Sequence, residues 1–491
     1  MDKRYIVGID AGTTSVRTVL YDTIKNEIIY KSQLPFKQYY PKNGWVEQDA
    51  TEIWQCQKKT LDDAIKQVPS GSICGVGITN QRETVVAWDR LTGKPIYNAI
   101  VWQCRRTSKM VNKLPLTIKR KIKLKTGLIP NAYFSATKIK WIIDNVPIAK
   151  KLLSKHQLCF GTVDSFLAYK LTGEFVTDTT NASRTMLFNI HDLKWDNELL
   201  EYFKIPLDSL PKVVDSNYLV GNCTDYNIPL CGIIGDQQSS LVGQACFKKG
   251  TAKATYGTGC FVLLNIGKDT VKTRDLLCTV AYTINGKTTY ALEGSIYSAC
   301  NSIDWLKTNL QLFDDYNEID KMCNEISSND GVYFVPAFTG LGAPYWDDYS
   351  KGTVLGLTLA HDKRHIVRAI LESIAFNTYA VVKEIVKKGI NIKELHVDGG
   401  GSKNKFLLQF QSNIIQRNII KSAISESTAM GAIYMVGLNQ KLYTPNQIEK
   451  NYKYEKIYNP ALTLSERNKL YKGWELAVKS TKYDGRTRNE K

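Results

Sequence analysis

Two stretches, one near the N-terminus and one near the middle of the chain, are written to one plan. That repeat limits the fold more than any other feature. Residues 5–10 form a short apolar run, Ala-Gly-Thr-Thr-Ser follows, and a second run spans 16–21. Residues 252–261 keep the same order around Gly257-Thr258-Gly259, and 262–266 continue it. Each reads as two strands joined by a small, hydroxyl-bearing turn. Each half also feeds a helical pattern into a further strand. Asp49 and Glu52 stand three apart, as a capping box requires, ahead of helical spacing over 54–68 and a strand over 73–78. In the second half, 365–388 carries Ile366, Ile370, Ile374 and Tyr379 near one face, with Gly389 placed to cap it and a strand over 394–397 behind it. Strands alternating with helices make α/β domains. The expectation is two similarly built domains, 1–247 and 248–491, enclosing a central cleft, and 491 residues suffice for both cores.

The paired turns suggest what the cleft holds. Glycine lets a backbone approach a phosphate, and successive N–H groups and hydroxyls then donate to its oxygens. Thr13, Thr14 and Ser15 in one turn and Thr258 in the other are such donors, and Arg17 adds a charged one. Asp10 ends its strand and can orient waters on a magnesium ion, which favours carboxylate and water oxygens. One such turn is most often an ordinary hairpin. Two, one in each half, can clamp a polyphosphate from both sides. Asp398-Gly-Gly-Gly-Ser-Lys-Asn404 adds a third element. Gly400 leaves room for a flat base and Asn404 can hydrogen-bond it or its ribose. The alternative there is a glycine turn before a helix over 404–416, capped by Ser402 or Asn404. There is neither a P-loop nor a Gly-x-Gly-x-x-Gly placed after a strand.

Two polar segments complete the picture. A short apolar strand ends at Gly235 and presents Asp236 and Gln237. Asp236 can take a proton from an attacking hydroxyl, and Gln237 can hold a second hydroxyl. The competing reading makes Asp236 the N-cap of a helix over 238–245. The other segment, Asn80-Gln-Arg-Glu-Thr84, places five polar residues between apolar runs. It is either a surface turn or a polar insert at a buried strand end.

Composition excludes several classes. Hydrophobic content of 43% and charged content of 23% fit a globular enzyme. No run nears the ~20 apolar residues of a membrane span, and the run before Asp10 is too short for a secretory signal. Eleven scattered cysteines without a Cys-x-x-Cys pair favour reduced thiols and a cytoplasmic location. The net charge of +18 raises nucleic-acid binding, but lysines run along the whole chain and the densest cluster, 117–125, is short. A solvated surface without a nucleic-acid partner is expected.

The segments "IDAGTTSVR", "GWVEQDATEIW", "GITNQRET", "NAIVWQCRRT", "TNASRTMLFNI", "GDQQSSLVGQ", "TYGTGCF", "FTGLGAPYWD" and "LESIAFNT" together resemble the glycerol kinases of the FGGY carbohydrate-kinase family, over essentially the whole chain. The resemblance implies two ribonuclease-H-like domains of the actin-like ATPase type, with ATP and Mg2+ as cofactors, glycerol as acceptor, and a homodimer. It implies that Arg82, Glu83, Tyr133, Asp236 and Gln237 bind the acceptor's hydroxyls and that Trp102 and Phe261 wall its carbon chain. Asp236 is the implied general base. Thr13, Thr14, Ser15, Arg17 and Thr258 match phosphate contacts, Gly400 and Asn404 adenosine contacts, and Asp10 and Asp236 face the metal. Cys300 and Asp304, in "YSACNSIDW", stand where the family commonly has Gly and Gln; cysteine is bulkier and Asp shorter, so the family's purine contact is not carried over there, while phosphate binding is. The alternatives are an FGGY kinase of a longer sugar and, in another class, an actin-like ATPase without an acceptor.

Overall fold

The computed structural model describes residues 3–424 and 426–489. It contains two large sheets built on the same plan. The first has six strands, in the order Gly221–Cys223, Ile228–Gly235, Ile73–Asn80, Tyr5–Ala11, Ser15–Asp22 and Glu27–Pro35. Tyr5–Ala11 pairs antiparallel with Ser15–Asp22 and parallel with Ile73–Asn80, which runs parallel to Ile228–Gly235. The second has seven, in the order Leu277–Ile284, Lys287–Ile296, Cys260–Gly267, Thr251–Tyr256, Glu394–Asp398, Ile419–Ser422 and Tyr454–Tyr458. Here Thr251–Tyr256 pairs antiparallel with Cys260–Gly267 and parallel with Glu394–Asp398. The two hairpins expected from sequence are therefore the centres of two α/β lobes. A division at 247/248, between the helix Asp236–Gly243 and the strand Thr251–Tyr256, is proposed as their boundary.

Burial explains why the central strands read as near-continuous apolar runs. Every residue of Ile73–Asn80 is buried, so both faces of the strand are covered. The parallel strands Tyr5–Ala11, Ile73–Asn80 and Ile228–Gly235 end on one edge of the sheet, and ligands of open α/β sheets bind outside such ends. The helix Ser427–Asn439 lies in the second half of the sequence but packs on the first sheet. A Cβ at Gly77 would stand 2.4 Å from the Ala432 carbonyl oxygen, and one at Gly243 would stand 1.9 Å from that of Ser427. Absent side chains thus let this helix approach the backbone of the other lobe. It is buried on nearly every side, as its uniformly apolar sequence requires. One apolar cluster joins Ile6 and Ile234 of the first sheet to Leu263 and Ala291 of the second through Met430 and Ile433 of this helix.

Helix starts differ from the sequence reading in instructive ways. The first long helix is Ala50–Ile65, and Asp49 caps it by accepting from the Thr51 N–H at 2.8 Å. Glu52 does not turn back to close a capping box; it accepts from the Lys37 N–H at 3.2 Å. The later helix is Lys363–Val386, closed by a box between Asp362 and His365. His365 took the place usually filled by Glu or Gln, which hid the box. The cysteines are all free, and all but Cys56 and Cys300 are buried. No helix among the described residues is long and apolar enough to cross a membrane.

Replacing Gly77 with Ala is expected to destabilise the protein by about 1–3 kcal/mol through overpacking against the Ser427–Asn439 helix. Thermal unfolding of Gly77→Ala beside wild type, followed by circular dichroism, checks this.

Candidate active site

The polar insert after Ile73–Asn80 is buried, which removes the surface-turn reading. Asn80, Gln81, Arg82, Glu83 and Thr84 are each at most 2% exposed. Three of them hold the insert in shape. Asn80 Nδ2 donates to Asn181 Oδ1 at 3.0 Å. Gln81 Nε2 donates to Gln48 Oε1 at 2.8 Å and to the Gly12 carbonyl at 3.1 Å, tying the insert to the first glycine turn. Thr84 Oγ1 donates to Gln81 Oε1 at 2.9 Å and accepts from the Trp102 N–H at 3.2 Å. That frees Arg82 and Glu83 to face the cleft. Glu83 adopts φ +61, the left-handed region. For a non-glycine residue this costs about 1–2 kcal/mol, and such strain persists only where surroundings over-determine it.

All seven acceptor residues expected from sequence line one cavity of about 170 Å³: Arg82, Glu83, Trp102, Tyr133, Asp236, Gln237 and Phe261. Thr13 of the first turn and Thr258 of the second open on the same space. Trp102 stands edge-on to Tyr133 at 5.5 Å and to Phe261 at 6.3 Å, forming an aromatic wall. It is more than a wall, since its indole N–H donates to Thr13 Oγ1 at 3.0 Å. Asp236 is not an N-cap. Gly235 holds that position and Asp236 is the first helical residue of Asp236–Gly243. Its Oδ1 accepts from the Gln237 N–H at 2.6 Å and lies 3.3 Å from Arg82 Nε.

Beneath the cavity lies a charge network that sequence reasoning did not find. Arg82 does not stand free beside Glu83. Its two terminal nitrogens grip Glu293 at 2.6 and 3.0 Å, and one also donates to Gln238 at 3.0 Å. Only Nε is left toward Asp236 and, at 3.9 Å, Glu83. Arg184 Nε donates to Glu83 Oε1 at 2.6 Å, and its Nη2 donates to Glu293 Oε1 at 2.9 Å. All four residues are at most 2% exposed. Burial pushes the Glu293 carboxyl up, but Arg184 and Arg82 outweigh it and hold it at about 2. Burial raises Glu83 above the usual carboxylate range against the same two arginines. Asp236 is also raised, by burial opposed by Arg82 and Lys253, while a quarter of its side chain stays open to the cavity. Arg184 lies inside "TNASRTMLFNI", but nothing in its neighbours announced a role. Glu293 sits between Leu292 and Gly294 in a core strand, where a lone carboxylate was the available signal.

The nucleotide side is partly occupied by its own side chains. Thr14 is exposed, and Ser15 Oγ accepts from Gln33 Nε2 at 2.9 Å. Arg17 pairs with Glu426 at 2.5 Å and lies 3.4 Å from Asp10. Glu426, just before the interlobe helix, was not foreseen. Burial lifts Asp10 to about 7, with Asp236 and Glu426 adding to the rise and Arg17 opposing it. Asp10 and Asp236, two part-buried carboxylates of which Asp236 raises Asp10, suit a hydrated divalent cation, which keeps waters and takes phosphate oxygens. Among the described residues no group of three or more His, Cys, Asp or Glu offers an all-protein cage.

At the third element, Gly399 has φ +85 and Gly400–Lys403 form a short 3-10 turn. A Cβ on Gly400 would meet nothing within 4 Å, so its face is open, whereas one on Gly401 would strike Cys300 Sγ at 2.7 Å. Asn404 rather than Ser402 caps Lys405–Ile415, its Oδ1 accepting from the Leu407 N–H at 2.7 Å and leaving Nδ2 to donate elsewhere. Asp304 Oδ1 accepts from the Tyr316 hydroxyl at 2.7 Å. Cys300 thus sits beside this loop, its Sγ donating to the Tyr256 carbonyl at 3.6 Å.

Duplicated hairpin lobes, an acceptor pocket at the strand ends of one lobe and a glycine turn from each lobe opening on it define a bilobal kinase. Residues 5–243 match the N-terminal domain of the FGGY family of carbohydrate kinases and 252–439 its C-terminal domain. The chain belongs to that family. It is 47% identical over 484 residues to a glycerol kinase of Thermococcus gammatolerans, covering 97% of this chain and 98% of that one. It is 48% identical over 488 residues to one of Clostridium botulinum, with 97% and 98% covered. The crystal structure of a Plasmodium falciparum glycerol kinase with ADP superposes with a TM-score of 0.90 at 36% identity, covering 98% of each chain.

Breaking the buried network from one side is expected to be costly. Glu293→Gln leaves Arg82 and Arg184 under-compensated and should lower stability by about 3–5 kcal/mol. Glu455→Gln, at an exposed partner of Lys421, should leave the unfolding curve unchanged. Paired thermal melts of the two variants check the contrast.

Proposed function

We propose that this chain phosphorylates glycerol, transferring the γ-phosphoryl group of ATP to the 3-hydroxyl to give sn-glycerol 3-phosphate and ADP. The observation that carries the reading is the single cavity of about 170 Å³ lined by all seven acceptor residues. Ligand pockets commonly measure roughly 300–1,000 Å³, so a space this size favours a three-carbon polyol over a longer sugar. The relatives named glycerol kinase share nearly the whole chain.

The chemistry follows from the side chains. Glycerol is small and uncharged, so hydrogen bonds must orient it. Arg82 Nε donates, Glu83 keeps one oxygen free of Arg184, and Tyr133 and Gln237 complete the set. Such a site rejects an analogue lacking a hydroxyl, because its own buried groups are then left unpaired. Asp236 takes the proton of the attacking hydroxyl; its raised pKa brings a carboxylate closer to neutral pH, where a general base works best. Trp102 and Phe261 exclude water, which competes as phosphoryl acceptor. Thr13, Thr14, Ser15, Arg17 and Thr258 hold the phosphates, and Gly400 and Asn404 the adenosine. Asp10 and Asp236 would hold Mg2+ through water, and the ion supplies neutralisation of charge on the phosphate oxygens. In this arrangement the protein contributes positioning and charge, as phosphoryl transfer requires.

A coupled ADP-release assay with glycerol, xylulose, gluconate and no acceptor is expected to show turnover with glycerol alone. Acceptor-independent ATP hydrolysis unaffected by glycerol would point instead to an actin-like ATPase. Asp236→Asn is expected to cut glycerol turnover by about 10²–10⁴ while nucleotide affinity holds. Near-normal turnover would remove Asp236 from the role of base.

A further inference from the structure

Lys253 is a fully buried lysine at the rim of the acceptor site. In Thr251–Tyr256 the residues Ala252, Ala254 and Tyr256 enter the core of the C-terminal lobe. Strand alternation therefore turns Lys253 and Thr255 to the opposite face, toward the helix Asp236–Gly243. There Lys253 Nζ donates to Gln237 Oε1 at 2.5 Å and to Thr255 Oγ1 at 2.9 Å. Thr255 Oγ1 lies 3.3 Å from Ser240 Oγ, which donates to Asp398 Oδ2 at 2.9 Å. Asp398 and Asp236 both favour the charged lysine against the pull of burial.

An ammonium has three donors and no acceptor, whereas a glutamine amide has one oxygen end and one NH2 end. The end of Gln237 that meets Lys253 must therefore be the oxygen. Its NH2 is turned the other way, toward Asp236 and the cavity that Gln237 lines. We propose that Lys253 is a positioning residue that fixes the polarity of Gln237, making it a donor-only contact to the attacking hydroxyl, the one Asp236 deprotonates, rather than to the second hydroxyl expected from sequence. This assigns directions to the hydrogen bonds around that hydroxyl. Its oxygen receives the Gln237 N–H, so its own hydrogen is free to point at Asp236, the geometry that proton abstraction needs. Without the lysine, the amide can rotate by half a turn. Its carbonyl then faces the Asp236 carboxylate, two acceptors meet, and the hydroxyl must donate to Gln237 instead of to the base. The lysine comes from the C-terminal lobe and the glutamine from the N-terminal one, so the polarity is set only when the lobes are packed together.

This role rests on the polyol-kinase reading, and the test keeps the two apart. The acceptor panel run on wild type reports the reading. The Lys253 role is then measured in whichever acceptor wild type uses best, with Lys253→Met, Lys253→Arg, Gln237→Ala and the double variant Lys253→Met/Gln237→Ala, each checked for its melting temperature. The expected result has three parts. Lys253→Met raises the acceptor KM by about 10-fold or more with the ATP KM unchanged. Lys253→Arg, also a pure donor, recovers most of that loss. Lys253→Met adds little further once Gln237 is already Ala. Fully additive effects of the two positions, or a loss confined to stability or to the ATP KM, would overturn the assignment.

Discussion

The structure depends on a buried exchange of charge between two lobes. Arg82, Glu83 and Arg184 come from the N-terminal lobe and Glu293 from the core strand Lys287–Ile296 of the other. Their atoms meet with almost no solvent contact. No member is stable alone, since an unpaired ion at such a depth costs several kcal/mol. Each therefore specifies the others' positions. The cavity lies directly above this lattice, and Arg82 Nε and the free oxygen of Glu83 are what the lattice leaves over. The groups proposed to meet the acceptor are the unspent valences of a network that ties the two lobes together. This also explains the left-handed backbone of Glu83, whose carboxylate must reach Arg184 and the cavity from a turn that Gln81 and Thr84 have already fixed.

A second constraint acts from behind. The Ser427–Asn439 helix fits against Gly77 and Gly243 because neither carries a side chain, and it carries Glu426 at its start. Packing that brings the helix onto the N-terminal sheet thus delivers a carboxylate to Arg17 from the far half of the sequence. Lys253 and Gln237 repeat the logic across the same seam. The proposed substrate contacts come mainly from one lobe, and the groups that orient them come from the other.

Much of this was legible in the sequence, and the boundary of legibility is physical. The two hairpins, the strand 73–78 and the polar insert behind it announced themselves because period-two patterns and glycine turns are local properties. The proposed acceptor residues other than Tyr133 sit in long motifs, and one cavity gathers all seven. Arg184, Glu293, Glu426 and Lys253 were not given roles because each acts through a partner distant in sequence: Arg184 lies 101 residues from Glu83, and Glu293 lies 211 from Arg82. A charged residue inside an apolar strand, as at Glu293 or Lys253, is the sequence-level trace of such a partner, but it does not name the partner. The failed capping box at Glu52 is the reverse case, a correct local signal whose acceptor was claimed by the Lys37 backbone.

The charge of the whole chain and the charge of the site are separate matters. Net charge is +18, and the densest cluster becomes the helix Leu116–Thr126, whose Lys121 and Lys125 both pair with the exposed Glu198. Exposed pairs of that kind are worth about 0–1 kcal/mol and are screened by salt. In the cleft the balance is local and even: Arg82, Arg184, Arg17, Lys31, Lys138 and Lys253 face Glu83, Glu293, Glu426, Asp10, Asp236 and Asp398. Burial raises Asp10, Asp236 and Glu426 add to the rise, and Arg17 opposes it. An uncharged acceptor leaves that balance unchanged, whereas a polyphosphate would add negative charge beside Asp10. A nucleotide bound in this cleft would therefore call for a cation to enter with its phosphates.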